Sequence, residues 1–150
     1  MNFEGLKLDI RHLTSEFAVS PQIEPADLSV IAEAGFRHVI CNRPDSENPA
    51  ALQFAAMAPA AEAAGLTLSY HPITHQGLTA EIIAAQKSAM SKLDGPILAY
   101  CASGTRSSIV WSYANAGEIP TDDIILATTN AGYSLGGMRP ALDQIAAANN

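Results

Sequence analysis

The sequence predicts a three-layer α/β domain, with a mostly parallel central sheet and helices on both faces. Three observations carry that prediction. Short apolar runs of strand length alternate with longer runs of helical periodicity along the chain. Strands separated by helices imply parallel crossovers. Hydrophobic residues make up 48% of the chain and charged residues 15%, which excludes a disordered polymer and allows a continuous core. A length of 150 residues suits a single domain, 1–150.

The elements follow in order. Leu8 to Leu13 and Phe17 to Ser20 read as two short strands. Pro25 stands where a first helical turn begins and Gly35 where that helix stops. Between them Leu28, Val30, Ile31 and Ala34 give the helix an apolar face. Arg37 to Asn42 (RHVICN) reads as a buried strand. Pro49 opens an alanine-rich helical stretch that ends at Gly65; Pro59 lies inside it, so a kink or two shorter pieces are expected. Leu66 to His71 (LTLSYH) is the next strand. Thr79 caps a helix running to about Leu93, stopped by Asp94-Gly95. Pro96 to Tyr100 (PILAY) reads as a five-residue buried strand, and Ser107 to Ala116 as the helix after it. Thr121-Asp122-Asp123 starts another helix, its acidic residues suited to the positive end of the helix dipole. A last helix covers about Pro140 to Ala148. In such sheets ligands bind beyond the carboxyl ends of the strands. That rule points to the loops after Asn42, His71 and Tyr100.

The formal net charge of −7 excludes general nucleic-acid binding, which needs a basic face. An anion site on such a protein must be local, built from backbone N–H groups and one or two arginines. No stretch approaches the roughly 20 apolar residues of a membrane span, and the N-terminus shows no signal-peptide pattern. Two cysteines, Cys41 and Cys101, make no disulfide framework, so free thiols in a reducing cytoplasm are expected. The histidines His12, His38, His71 and His75 are too scattered for a metal site. No metal and no cofactor are expected; the expected partner is a small anionic substrate.

The loop after Tyr100 carries the chemistry. It reads Cys101-Ala102-Ser103-Gly104-Thr105-Arg106-Ser107-Ser108. A strand delivers the chain to Cys101 and a helix leaves from about Arg106. The residues between are small, and Gly104 permits backbone torsions that other residues resist. Several N–H groups can therefore turn inward around an anion, and Arg106 adds a two-pronged contact to its oxygens. The same field stabilises a thiolate at Cys101 over a thiol. Ser107 or Ser108 is placed to donate a hydrogen bond to the sulfur.

These residues resemble the beta-lactamase hydrolase-like, phosphatase-like family of bacterial proteins, which share the dual-specificity tyrosine phosphatase fold. The similarity runs through nearly the whole chain. Its marks are Val19-Ser20-Pro21-Gln22, Gly35-Phe36, Asn42-Arg43-Pro44-Asp45 with Glu47, Gly65-Leu66, Tyr70-His71-Pro72-Ile73, Gly95-Pro96, the Cys101 to Ser107 loop, and Ala131-Gly132-Tyr133. The resemblance implies that Cys101 is a nucleophile forming a phosphocysteine. It implies that Arg106 binds the oxyanion, and that Ala102, Ser103, Gly104, Thr105 and Ser107 line the substrate.

Three departures from ordinary phosphatases stand beside that resemblance. Four residues (Ala102, Ser103, Gly104, Thr105) separate cysteine from arginine where the phosphatase loop has five, and this shorter loop resembles that of rhodanese sulfurtransferases. Tyr100 replaces the usual histidine before the nucleophile. No aspartate lies between Asp45 and Asp94 to act as the general acid; the matching loop offers only His71, Thr74 and His75. A missing acid costs on the order of 10²–10⁴ in rate for phosphoester cleavage, whereas sulfur transfer does not need one. The first expectation is therefore a phosphatase-like hydrolase. Sulfur transfer through a Cys101 persulfide stands beside it, and a non-catalytic anion-binding module is third.

Other residues read two ways. His75 and His71 are acid–base candidates, or an exposed loop residue and a packing residue respectively. Asn42 and Arg43 form a site wall, or Arg43 staples its own loop by pairing with Asp45 or Glu47. Cys41 resolves an oxidised Cys101, or is a small buried apolar residue. Trp111 reads as core.

Overall fold

The computed structural model describes residues 8–149. Five strands form one sheet in the order β1-β2-β5-β3-β4: β1 (Arg11–Thr14), β2 (Phe17–Ser20), β3 (His38–Cys41), β4 (Thr67–Tyr70) and β5 (Ile97–Tyr100). The first two pair antiparallel; every other pairing is parallel. The crossovers carry the helices α1 (Asp27–Glu33), α2 (Phe54–Ala63), α3 (Ala80–Ser91) and, after the central strand, α4 (Thr105–Asn115), α5 (Thr121–Asn130) and α6 (Arg139–Ala148).

The strands alternate between two cores, as the period of two requires. Ala18, Val39 and Leu98 face Leu28 and Ile31 of α1 and Met57 and Ala61 of α2. Val19, Ile40 and Ala99 face the opposite layer, where α4, α5 and α6 contribute Trp111, Ile124 and Leu142. Trp111 stacks on Phe17 with ring centroids 6.1 Å apart, so it belongs to the core. The fold is thus the three-layer α/β arrangement the alternation predicts.

Two boundaries differ from the sequence reading. The first strand begins at Arg11; Leu8 and Ile10 instead pack, partly buried, against the α1–α2 core. The stretch opened by Pro49 splits into a short 3₁₀ turn (Ala50–Leu52) and α2, with the break at the extended residue Gln53. Pro59 lies within the continuous ten-residue helix α2. Gln53 stays extended because its side chain donates to the carbonyls of Asp45 and Asn48, tying it to the preceding loop.

Strand register positions the site. Tyr100 pairs with Ser20 on one side and Cys41 on the other at the carboxyl edge, and Tyr70 pairs with Cys41. The loops after four strands therefore open on one edge, with the Cys101 loop near the middle.

Candidate active site

The central strand β5 is fully buried and ends at Tyr100, so Cys101 emerges at its carboxyl end with no exposed surface. The chain turns at once into α4. Gly104 is the N-cap, in a left-handed conformation (φ +94°), and no side chain caps this helix. A β-carbon at Gly104 would also land on the Tyr133 hydroxyl, so two constraints require glycine there. The Gly104 N–H donates to Cys101 Sγ at 3.1 Å. Among the described residues, the backbone N–H groups of Ala102, Ser103, Arg106 and Ser107 have no acceptor. Unspent donors of this kind, beside the positive end of a helix, make an anion cradle.

The rim of the cradle is fixed from outside. The Tyr133 hydroxyl donates to the Ser103 carbonyl (3.0 Å), and Gln22 N–H donates to the Ala102 carbonyl (3.2 Å). Exposed Ser103 donates through Oγ to Thr105 Oγ1 (2.9 Å). The two serines of α4 do not serve the sulfur, contrary to expectation. Ser107 Oγ donates to Asn42 Oδ1 (2.9 Å), and Ser108 Oγ donates to the Gly104 carbonyl (2.8 Å). Both are buried, and an oxygen acceptor takes each proton. Asn42 is itself buried, donating to the His71 carbonyl (2.9 Å) and to Gln86 Oε1 on α3 (2.6 Å). It acts as a strut beneath the cradle, and its side chain does not wall the cleft.

Arg106 is clamped along one edge. Nη1 and Nη2 donate to the two carboxylate oxygens of Glu47 at 2.9 and 2.8 Å, and Nη1 also donates to the Ile73 carbonyl at 2.7 Å. A guanidinium has five N–H donors in a rigid fork. Three are committed, leaving Nε–H and one Nη2–H for a ligand. The pair is largely shielded, with 14% and 20% of the two side chains exposed. Bonding to Arg106 holds the Glu47 carboxyl below its ordinary value, and bonding to Glu47 raises that of Arg106.

Glu47 is in turn positioned by its own loop. Arg43 Nε donates to Glu47 Oε1 (3.3 Å) and Nη2 to the Glu47 carbonyl (3.3 Å), so of its two candidate partners Arg43 takes Glu47. Asp45 receives the Phe54 N–H (2.9 Å) and donates its own N–H to the Tyr70 hydroxyl (2.9 Å). The sequence marks Glu47 as a partner for Arg43 and as part of the family resemblance, and neither points to Arg106. Its bond to Arg106 spans 59 residues, which no local spacing reveals.

The two histidines separate. His75 sits at the rim, 83% exposed, with Nε2 at 3.6 Å from Glu47 Oε2. His71 lines a separate hollow with Tyr70, Pro72, Ile82 and Ala85, and burial lowers its basicity. Cys41 faces the α1–α2 core, its thiol donating to the Arg43 carbonyl (3.3 Å). Burial raises both the Cys41 thiol and the neighbouring Tyr100 phenol, keeping the two neutral.

The fold is that of the tyrosine and dual-specificity phosphatases. Kinase associated phosphatase, in a structure where its catalytic-site cysteine is replaced by serine, superposes at a TM-score of 0.68 over 94% of each chain with 12% identity, a likeness of fold alone. The chain belongs to the family described as beta-lactamase hydrolase-like protein, phosphatase-like domain, whose model matches residues 9–118. A crystal structure from Neisseria meningitidis z2491, of a protein assigned as a phosphatase (nma1982), is 34% identical and superposes at a TM-score of 0.80, covering 93% of this chain and 99% of that one. The beta-lactamase hydrolase-like protein of Xylella fastidiosa Temecula1 is 28% identical over 131 residues. That match takes in 86% of this chain but only 30% of the Xylella protein. Among the described residues no helix is long and apolar enough to cross a membrane.

Proposed function

We propose that this domain hydrolyses phosphomonoesters through a phosphocysteine at Cys101. The phosphoryl oxygens rest on the open amides of the Ala102–Ser107 loop and on the free edge of Arg106. The Cys101 thiolate attacks phosphorus; the S–P bond forms as the ester P–O bond breaks. His75 gives its proton to an alkoxide leaving group, whereas an aryl oxide departs without one. Water then attacks the phosphocysteine, passing its proton to His75 where the leaving group has taken one and to solvent where it has not, and phosphate and the thiolate are released.

The observation that carries this reading is the Gly104 N–H directed at Cys101 Sγ, 3.1 Å away, in a loop where the amides of Ala102, Ser103, Arg106 and Ser107 are unspent. Family membership supports the same chemistry, and none of the relatives named above is described as a sulfurtransferase. Purified protein should release nitrophenol from p-nitrophenyl phosphate. Cys101→Ser should lower kcat by on the order of 10⁴ or more. Retained turnover in that variant removes Cys101 from the role. If thiosulfate adds one sulfur to Cys101 while phosphoesters stay intact, the loop belongs to sulfur transfer instead.

A further inference from the structure

A cleft of ≈ 540 Å³ opens from Arg106, between the loop that carries His75 and the helices α3, α4 and α6. Its apolar walls are Ile73, Leu78, Ile83, Ile109, Tyr113 and Ile145, and Thr74 and His75 also line it. A volume of this size accommodates a small molecule, and walls of this kind favour an apolar one. The cleft meets the anion cradle at Arg106, which lines the one and borders the other, so a molecule whose phosphoryl group sits in the cradle can extend its body into the cleft.

The charge around the cleft sharpens this. Among the described residues Arg106 is the only lysine or arginine lining it. Glu47 bonds to both Arg106 and Arg43, so two guanidiniums share one carboxylate. Arg43, Arg106 and Glu47 together therefore offer one net positive charge, and the proton of His75 at the rim is reserved for the leaving group. That charge can meet a single phosphoryl group with the help of the loop amides. A second phosphate or carboxylate on the substrate body would lie against isoleucines, desolvated and unpaired, which is costly.

We infer that the substrate is a singly phosphorylated molecule whose body is uncharged and apolar, and larger than one phenyl ring. The inference rests on the phosphoester reading above and names the substrate class for that same site. The cleft is a specificity pocket. Its contribution lies in burying carbon beside the reacting phosphorus, so it should scale with the apolar area of the leaving group.

A homologous series tests this without changing the chemistry. The 4-methyl-, 4-propyl- and 4-pentylphenyl phosphates have leaving phenols of nearly equal acidity. With the wild-type protein, kcat/KM should rise by about fourfold per added methylene until the cleft is full. Ile83→Ser and Ile109→Ser should flatten the series. A polyanion such as inositol hexakisphosphate should be turned over at least about 100-fold less efficiently than the pentyl ester. Turnover of the esters with no dependence on chain length overturns the inference and leaves phosphoester hydrolysis standing. Equal turnover of the polyanion does the same. Failure to turn over any phosphoester overturns the underlying reading. The wild-type series decides these outcomes even if a serine variant folds poorly.

Discussion

Two neighbouring helices begin in opposite ways. Both α3 and α4 follow a strand of the sheet, and they pack against each other. At the start of α3, Thr79 Oγ1 accepts the Ile82 N–H (3.2 Å), and Glu81 places a carboxylate in the first turn. The donors and the positive field of that end are consumed inside the protein. At the start of α4 there is no capping side chain and no acidic residue in the first turn. Gly104 leaves the end open: its own amide goes to the cysteine sulfur, the Thr105 amide goes to Ser103 Oγ, and the amides of Arg106 and Ser107 are uncommitted. A capped end adds stability, and an open end keeps its electrostatics for a ligand. On the proposed reading, the difference between the two helices marks where this fold gives up stability for binding.

The comparison breaks most severely if the open end is not what binds the anion. Arg106→Lys keeps the positive charge but removes the fork, and a lysine cannot bond Glu47 twice while presenting two donors to phosphate. The expected loss in kcat/KM toward an aryl phosphate is about 10²–10³-fold. Inhibition by free phosphate should weaken in parallel. A lysine variant within a few-fold of wild type would mean that the helix end and loop amides bind the anion unaided.

Glu47→Gln comes next. The amide keeps much of the shape but loses the charge that holds Arg106 in place. Misplacing a binding group by about 1 Å can cost on the order of 10²-fold, so a loss of about 10-fold to 10²-fold is expected. The pH dependence of stability gives an independent reading. Glu47 binds its proton more weakly in the folded protein than in the unfolded chain. The stabilisation it provides is present at neutral pH and is lost as the pH falls below 4.5 and through the depressed folded value. Thermal unfolding from pH 7 down to pH 3 should therefore show a steeper decline for the wild type than for Glu47→Gln. Equal slopes would show that the clamp adds nothing in solution.

Much of this arrangement is legible in the sequence, and the part that is not has a common cause. The alternation of Ile97 to Tyr100 with its neighbours, the glycine at 104 and the arginine at 106 are local signals. They predict a strand, a turn and a helix start within ten residues. Thr79 likewise announces its helix by position. What escapes is every contact that depends on the sheet bringing distant loops together. Glu47 reaches Arg106, Ile73 lends it a carbonyl, and Tyr133 closes over Gly104. Ser107 and Ser108 mislead for the same reason. Their spacing suits a bond to sulfur, yet Asn42, from another strand, takes the first proton, and the turn carbonyl of Gly104 takes the second. Pro59 misleads differently, since the interruption comes at Gln53, held extended by its bonds to Asp45 and Asn48.

The smallest effect tests the capped end itself. Thr79→Ala removes one side-chain acceptor from α3 and should lower stability by about 1 kcal/mol. Turnover should stay within about twofold, because the cap faces its own helix and shares no hydrogen bond with the cradle. Denaturant unfolding measures the first and steady-state kinetics the second. The link to be watched runs through Gln86, which lies on α3 and bonds Asn42, the partner of Ser107. If Thr79→Ala lowered activity far more than twofold, fraying at the helix start would be reaching the cradle along that chain. The two helix ends would then act as one cooperative unit, and the open end of α4 would owe its shape to the closed end of α3.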